Sequence, residues 1–450
     1  MIQKLKKSCL VIFAVIGFNS ISEAQNNFGF YGGLQLMPQA HAYNPAFSPE
    51  NKFHFSLGTG MHSLGFSNSG FTLNDILVER AQDDSLVLSP SNAVSKMAKL
   101  NHIGFNVQNE LLSFGMKLRK TYFSVGLYNR LSAQFAYPKD FFSLMVEGNG
   151  GTLLGQRADM RGIGIYANSY VELAFGANRE FGDKLKLGAR FKLLSGIGNV
   201  TTEKSVLGLT TDATTFDLTL DGELDLRTSG LAINGLNYDP LTALKARNKG
   251  FAFDFGGSYQ LSEKLLLSAS LLDLGFINWT QNVQNYKRSS FSYTFEGVDL
   301  NQAINDSNYF ETLVDTLEHI FKVEGNNDSY RTVLPARFIV GANMELTKMF
   351  GAGAFLFSDF TNNKYRPTLM LQGSLTLKKW FMLNVNYTLS ARSATNVGVS
   401  VGLKGSGMAY FISSDNVFGF IAPARSKNFH ISSGLAFCIG RDKDEEVEKE

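Results

Sequence analysis

Residues 184–193 read Lys-Leu-Lys-Leu-Gly-Ala-Arg-Phe-Lys-Leu, and this stretch decides the fold class. Apolar side chains occupy every second position from Leu185 to Leu193, and the positions between them are charged or glycine. A period of two is the pattern of a β-strand that has one apolar face and one polar face. The stretch therefore predicts a strand.

The same alternation recurs along most of the chain. Further examples are Leu112/Phe114/Met116/Leu118, Phe123/Val125/Leu127, Val171/Leu173/Phe175, Phe251/Phe253/Phe255, Phe338/Val340/Ala342/Met344, Phe381/Leu383/Val385/Tyr387 and Val397/Val399/Val401/Leu403. A soluble β-sandwich also alternates, so the links between strands must separate the two classes. Very short polar links such as Arg119-Lys120 and Ser262-Glu263 alternate with long ones such as the link after Trp279. Short turns at one end and long loops at the other are typical of outer-membrane β-barrels.

Placing every short link in the periplasm sets the strand number. The count predicts an all-β fold, a transmembrane antiparallel β-barrel of about fourteen strands, an even number as bacterial barrels require. Long outer loops then span residues 67–100, 200–249 and 280–333, and a hairpin within Ser205–Leu226 stands above the membrane. A barrel of sixteen strands, with that hairpin in the wall, is the alternative.

The two ends of the chain have compositions unlike the strands. Residues 1–24 combine early lysines, an apolar stretch and small residues before Gln25, which indicates a secretory signal peptide. Residues 25–52 lack alternation and contain Gly32-Gly33 and three prolines, so we expect an N-terminal hatch in the lumen, with a disordered periplasmic tail as the alternative. The barrel then covers residues 53–440, and residues 441–450 form a charged tail. We expect the protein in the cell outer membrane with both termini in the periplasm.

Composition excludes several classes of protein. The 450 residues include 43 Gly, 38 Phe and 9 Pro, and no mature segment has the roughly 20 consecutive apolar residues of a membrane-spanning helix. Removing residues 1–24 leaves equal numbers of acidic and basic side chains, which argues against a nucleic-acid partner. Cys438 is then the only cysteine, so we expect neither a disulfide nor a cysteine-based zinc site.

Several motifs resemble a known family. Asn44-Pro45-Ala46-Phe47 resembles the N-terminal signature of FadL-type outer-membrane transporters and of PorV-like proteins of the type IX secretion system. Together with Glu147–Asn149, Phe253–Gly256, Asp273–Trp279 and Leu334–Phe338, it is similar to an uncharacterised family of Bacteroidetes outer-membrane β-barrels. The FadL continuation Gly-Leu is replaced here by Phe47-Ser48.

The resemblance implies a fourteen-stranded FadL-like barrel with a hatch. It further implies a passive channel or transporter for small apolar or amphipathic solutes, which pass through the wall or past the hatch. The alternative is a non-transporting scaffold or a subunit of a secretion or assembly complex. The expected partners are outer-membrane lipid, a hydrophobic small molecule and, for the scaffold, a secretion or assembly protein.

Inward parity predicts which polar side chains line the lumen. The candidates are His54, His62, Lys117, Glu172, Lys186, Arg190, Lys192, Asp254, Arg337, Glu345, Lys404 and His430. A Ser/His hydrolase could be assembled from the histidines and Ser56 or Ser432, but no Gly-x-Ser-x-Gly or His-Glu-x-x-His motif accompanies them. We therefore expect no enzyme, catalytic residue, cofactor or metal. Asp273 interrupts an outward apolar set, which predicts either a bulge or a carboxylate beyond the membrane.

Overall fold

The computed structural model describes residues 27–80, 82–83, 85–230, 248–297, 324–361, 364–390 and 393–441. The predicted signal peptide, residues 25–26 of the predicted hatch and residues 442–450 of the predicted tail lie outside this part. Fourteen strands form the wall of one closed antiparallel barrel. They are β1 (Asn51–Asn68), β4 (Leu100–Leu118), β5 (Thr121–Pro138), β7 (Gly164–Phe181), β8 (Leu185–Thr211), β10 (Asn248–Ser262), β11 (Leu265–Trp279), β15 (Ala336–Glu345), β16 (Phe350–Thr361), β17 (Lys364–Leu377), β18 (Phe381–Ser390), β19 (Ser393–Lys404), β20 (Met408–Ser414) and β21 (Asn428–Arg441).

The barrel closes where β1 pairs with β21, as Phe53↔Ile439 and Phe66↔Phe429 show. Each remaining wall strand pairs with its two neighbours in the order given above. The predicted count of fourteen is confirmed, and the alternative of sixteen is wrong.

The two ends of the barrel differ in the length of their links. At one end, the short-turn end, links of two to four residues join β4 to β5, β7 to β8, β10 to β11, β15 to β16, β17 to β18 and β19 to β20. At the other, the long-loop end, the four longest links join β1 to β4, β5 to β7, β8 to β10 and β11 to β15, and two-residue links join β16 to β17 and β18 to β19. Arg441 ends β21 at the short-turn end.

An extension of the sheet rises beyond the wall at the long-loop end. The upper half of β8 leaves β10 after Gly196 and pairs with β9 (Leu218–Ser229) from Asn199 to Thr211. β9 also pairs with β12 (Val283–Phe295). Shorter strands complete this region: β6 (Arg157–Asp159), β13 (Glu324–Asn326), β14 (Tyr330–Val333) and the separate pair β2 (Leu77–Glu79) and β3 (Leu86–Leu88).

The helices of the described chain are short. Four α-helices lie in the outer connections, at Leu73–Ile76, Pro90–Lys96, Lys139–Glu147 and Phe418–Ile421. Three 3₁₀-helices cover Phe28–Tyr31, Pro38–Ala42 and Pro423–Arg425. Within the described residues, none of the helices is long and apolar enough to cross a membrane.

The outer face of the wall is apolar. Large apolar side chains on the outward parity of almost every wall strand are exposed, among them Phe55, Phe114, Phe175, Leu193, Phe253, Phe338, Leu371, Val385 and Ile412. A soluble protein would bury such a band, whereas a bilayer solvates it. The inner face buries the first described residues of the chain, 27–50, which we call the hatch segment.

Candidate functional site

The hatch segment runs along the lumen from one end of the barrel to the other. At the long-loop end the backbone N–H groups of Asn27 and Phe28 each donate to the Asp415 carboxylate, at 3.0 Å. Ser432 on β21 also donates to the side-chain oxygen of Asn27. The first described residue, Asn27, therefore lies at the long-loop end, whereas the last described residue, Arg441, lies at the short-turn end.

A serine, a histidine and an aspartate meet beside this anchor. Ser63 Oγ lies 3.1 Å from His430 Nε2, and His430 Nδ1 lies 3.2 Å from Asp415 Oδ2. The Asp415 backbone N–H, however, donates to Nδ1 at 3.1 Å. A neutral ring then carries its proton on Nε2 and donates it to Ser63, which is the wrong direction for activating a serine. The arrangement holds the hatch segment by its first residues.

The middle of the hatch segment is apolar and packs against one side of the lumen. The Phe28 ring lies 4.6 Å from Phe357 and the Phe30 ring 4.8 Å from Phe411, both edge to face. The wall residues Met370 and Met382 are fully buried in the same cluster. Aromatic pairs and close packing of this kind stabilise the hatch position through area removed from water.

The motif Asn44-Pro45-Ala46 fastens the hatch segment to the opposite wall, near the short-turn end. Asn178 on β7 donates to the carbonyl oxygens of Pro45 and Phe47, at 3.0 and 3.3 Å. Gly188 and Gly256 face the motif, and a Cβ on either would overlap Pro45 or Asn44. The motif therefore acts as a clasp that requires glycine on two adjacent strands.

Asn44 itself organises the clasp. Its side-chain oxygen accepts the Ala46 N–H at 2.9 Å, and its amide donates toward the carbonyl oxygens of Gly257 and Ala269 at 3.4 and 3.3 Å. One side chain thus caps the turn and joins it to β10 and β11.

Glu50 ends the hatch segment at the short-turn rim. Its carboxylate accepts from Lys379, in the turn between β17 and β18, at 2.9 Å and from Lys404, the last residue of β19, at 3.1 Å. Burial alone would raise the pKa of Glu50, but the hydrogen bonds and charges of both lysines outweigh it and lower that pKa.

A cluster of charged side chains lies on the polar side of the lumen. We call it the ionic cluster; its members are Arg130, Glu172, Arg190, Lys192, Asp254, Asp273 and Arg337. Arg130 contacts Glu172 at 2.6 Å, and Lys192 contacts Asp273 at 2.5 Å. Arg337 holds the other oxygen of Asp273 at 2.7 Å. Burial of ions is costly, so each ion here depends on its partners.

Arg190 connects the ionic cluster to the hatch segment. Its guanidinium donates to the Ala42 carbonyl at 3.3 Å and contacts Asp254 at 3.4 Å. The neighbouring His41 is fully buried, and burial together with the charge of Arg190 lowers the pKa of His41 well below its usual range. Since the His41 ring is neutral, the hatch segment adds no charge to the ionic cluster. The two are joined by hydrogen bonds.

The structure places the remaining predicted lumen residues differently. His54 is buried between Tyr122 and Ser113, with ring nitrogens 2.9 and 3.1 Å from their oxygens. Lys117 and Lys186 both pair with Glu180 near the short-turn end, at 3.6 and 3.0 Å. Glu345 is exposed at the short-turn rim. His54 is therefore fully buried inside the barrel, whereas Lys117, Lys186 and Glu345 lie at the margin of the lumen.

His62 does not face the lumen, and this prediction is wrong. Its side chain is exposed on the outer face, 2.9 Å from the Asn109 side-chain oxygen and 3.0 Å from the Gly58 carbonyl. Residues 58–60 are a bulge in β1, in which Gly58 has a left-handed φ of 66°. The bulge adds three residues relative to β21, and this odd number switches the parity. Ser63, the next residue, faces the lumen instead.

The same bulge interrupts the strand pairing of the wall, and we call this interruption the notch. Pairing of β1 with β21 is interrupted between Phe55 and His62, and residues 58–60 pair with neither neighbour. On the inner side Gln39 of the hatch segment donates to the Gly60 carbonyl at 2.7 Å. Only the bulge therefore separates the hatch segment from the outer face at this point.

Sequence reasoning missed several functional residues. Asp415 and Asn178 are buried and Arg130 is partly buried, and none of them was among the candidates, although Arg130 and Asn178 lie on the inward parity of their strands. For Asp273 the structure decides in favour of a bulge, with φ 60° and a register shift opposite Phe253/Phe255. Within the described chain, no group of three or more His, Cys, Asp or Glu side chains is arranged to hold a metal ion.

The apolar outer band and the closed sheet define the class of this protein: it is a transmembrane β-barrel whose lumen is occupied by its own N-terminal segment. Residues 45–415 match a family described as a family of unknown function (DUF5723), and the chain belongs to that family. No curated protein matches it in sequence.

Solved outer-membrane barrels are similar to it in fold at very low identity. The toluene transporter TbuX of Ralstonia pickettii has 10% identity and a TM-score of 0.44, with 96% of this chain and 100% of that chain covered. A Pseudomonas aeruginosa FadL homologue has 9% identity and a TM-score of 0.43, covering 93% and 97%. The Pseudomonas putida toluene transporter TodX has 10% identity and a TM-score of 0.41, covering 92% and 97%.

Proposed function

We propose that the barrel is a passive outer-membrane channel for small apolar or amphipathic solutes and that the hatch segment gates it. One observation carries the proposal: residues 27–50 fill the lumen, yet none of them pairs with a strand in the described sheet. Side-chain hydrogen bonds and apolar packing hold the segment, so it can leave without breaking the wall.

The lumen that the segment would vacate suits such solutes. The wall residues Phe355, Phe357, Met370, Met382 and Phe411 would lose their apolar partners and present an apolar surface. Methionine and aromatic side chains adapt to apolar guests of various shapes. Solutes would leave past the hatch or through the notch in β1.

Deleting residues 27–50 tests the gate. We expect the deletion to raise single-channel conductance in planar bilayers, because it removes the lumen filling and leaves the strand pairing intact. A matched control deletes residues 203–226, a segment of the same length that lies in the sheet extension. The control should conduct like the full-length chain, and equal conductance of all three proteins would disprove gating by this segment.

A scaffold role is the second candidate. It is favoured by the extension in which β8 and β9 continue beyond the wall, because exposed strands can bind a partner protein. This role predicts stoichiometric co-purification of a partner in mild detergent, lost in the 203–226 deletion. A monomeric barrel that retains full cellular function would contradict it.

A further inference from the structure

The inner wall has two chemically different sides. The ionic cluster occupies β5, β7, β8, β10, β11 and β15, where cations and anions contact one another. The inward positions of β17 and β18 instead carry the uncharged Gln372, Asn384, Asn386 and Thr388, all buried. A solute that reaches β17 and β18 therefore meets amides and a hydroxyl.

These amides form a connected column. Gln372 donates to Asn343 at 2.7 Å, and Asn384 donates to Gln372 at 3.1 Å. Asn386 follows Asn384 on the same strand, one inward position nearer the long-loop end. We call Asn343, Gln372, Asn384 and Asn386 the amide column.

The hatch segment already places an uncharged hydrogen-bonding group on this column. Asn343 donates to the Tyr31 carbonyl at 2.8 Å. Gly32 and Gly33 lie so close that a Cβ on Gly32 would overlap Gln372 and one on Gly33 would come 2.9 Å from the Asn384 Cβ. The column is thus built to receive a peptide group, which is neutral and both donates and accepts.

Two amide atoms of the column have no partner within the described chain. The side-chain oxygen of Asn384 and the side-chain nitrogen of Asn386 are buried and make no hydrogen bond. Buried polar atoms are normally paired, so an unpaired acceptor and an unpaired donor on adjacent inward positions are free to hydrogen-bond a solute. A hydroxyl or amide satisfies both atoms, whereas a carboxylate can only accept and an ammonium can only donate.

Apolar space adjoins the column. Leu34 and Met37 of the hatch segment pack with Met382, the inward neighbour of Asn384 on β18, in the main apolar cluster. When the segment leaves, this space would take an alkyl or aromatic tail whose head group lies on the amides.

We propose that the amide column is the binding site for an uncharged, hydroxyl- or amide-bearing head group of an amphipathic solute, which displaces Tyr31–Gly33. This inference rests on the proposed gated passage and adds the chemistry of the solute. It predicts a preference for neutral head groups over anionic and cationic ones when the tail is the same.

Cys438 supplies a native reporter for displacement of the hatch. It is buried in the same apolar cluster as the hatch segment. A soluble maleimide can therefore alkylate Cys438 only when the hatch segment moves away from it. The test measures this rate for the full-length protein in nanodiscs with hexyl glucoside below its micelle-forming concentration, hexanoate or hexylammonium. We expect hexyl glucoside to accelerate alkylation about tenfold more than either ion, since each ion leaves one column atom unpaired.

Variants assign the preference to the column. Asn386→Leu should remove the advantage of hexyl glucoside, and Asn386→Asp, which keeps the shape, should shift the preference toward hexylammonium. Asn285→Leu, a buried amide in the sheet extension, is the control and should respond like the wild type.

Failures of the two proposals are distinguishable. Equal acceleration by all three solutes, or a wild-type response of both Asn386 variants, would overturn the head-group site and leave the passage intact. No acceleration by any solute, in a barrel that conducts once residues 27–50 are deleted, would also overturn the site alone. No acceleration and no conductance after the deletion would overturn both.

Discussion

Two glycines decide whether the hatch segment can be seated. Gly188 and Gly256 pair with each other across β8 and β10, and both lie against Asn44-Pro45. Neither has a left-handed φ, so alanine at either position is free of backbone strain and acts through its methyl group alone. The clasp thus fits against the wall only because these two positions have no side chain.

Gly188→Ala should unseat the clasp. The new methyl group would overlap the Pro45 carbonyl, and overpacking of this kind costs about 1–3 kcal/mol. We expect faster alkylation of Cys438 and higher conductance, with an unchanged wall. Gly373→Ala is the matched control, because a Cβ there meets nothing within 4 Å. Similar results for both variants would show that the clasp does not hold the segment.

Glu50 makes the rim attachment sensitive to acid. Its pKa is lowered in the folded protein, so its ion pairs contribute stability above the ordinary carboxyl value of 4.5, and the contribution is lost as the pH falls through the lowered pKa. At pH 7, Glu50→Gln should lower the unfolding midpoint by roughly 2 °C, since such pairs are worth about 0.5–1 kcal/mol. As the pH falls through the lowered pKa of Glu50, the two unfolding midpoints should converge. A midpoint difference that stays constant as the pH is lowered would contradict this assignment.

Single residues were predictable where the alternation continues without interruption. Arg190, Lys192 and Asp254 are buried inside as their parity requires. His62 was misplaced because a glycine bulge shifts the parity, and nothing in a period-two pattern reveals an extra residue. Buried partners on distant strands, such as Asp415 for Asn27, could not be predicted from local sequence.

Among the wall strands, β1 carries the longest run of extra residues, three relative to β21, whereas the bulge at Asp273 in β11 adds one. In the pairing of β1 with β21, Phe55 lies opposite Phe437 before the bulge and His62 lies opposite Ser433 after it. Seven positions along β1 therefore correspond to four along β21. Removing residues 58–60 would therefore bring the two halves of β1 into one continuous register with β21. The notch exists because these three residues are present.

Deleting residues 58–60 should close the notch. We expect a barrel without the hatch segment to keep its ion conductance after this deletion, because the lumen is unchanged, while transfer of an apolar fluorescent probe from lumen to lipid falls. The measurement compares probe quenching by lipid-attached quenchers in vesicles that contain either barrel. Undiminished transfer would place the exit elsewhere.

The hatch segment was predictable as an element without strands, but its course was not. Prolines and Gly32-Gly33 exclude a regular strand, and two 3₁₀-helices are formed instead. Its contacts join residues that are far apart in sequence, so no local pattern shows that Asn27 lies at the long-loop end.

For the whole molecule, strand number and closure followed from two simple constraints. The short polar links recognised in the sequence were placed at one end and the strand count was required to be even, which together predict the fourteen strands observed. The two-residue links from β16 to β17 and from β18 to β19 lie at the other end and had not been recognised. The division of the lumen into an ionic side and an amide side was not predicted, since it depends on which strands become neighbours around the lumen.

The path of the hatch segment also constrains the order of biosynthesis. Its partners at the long-loop end, Asp415 and Ser432, follow Asn27 by 388 and 405 residues. The hatch segment thus has to wait for residues about four hundred positions later in the chain before it can dock. The same late residues include β21, the strand that seals the barrel against β1. Docking of the N-terminal segment and sealing of the barrel therefore become possible at the same late stage, and a chain truncated before β21 could do neither.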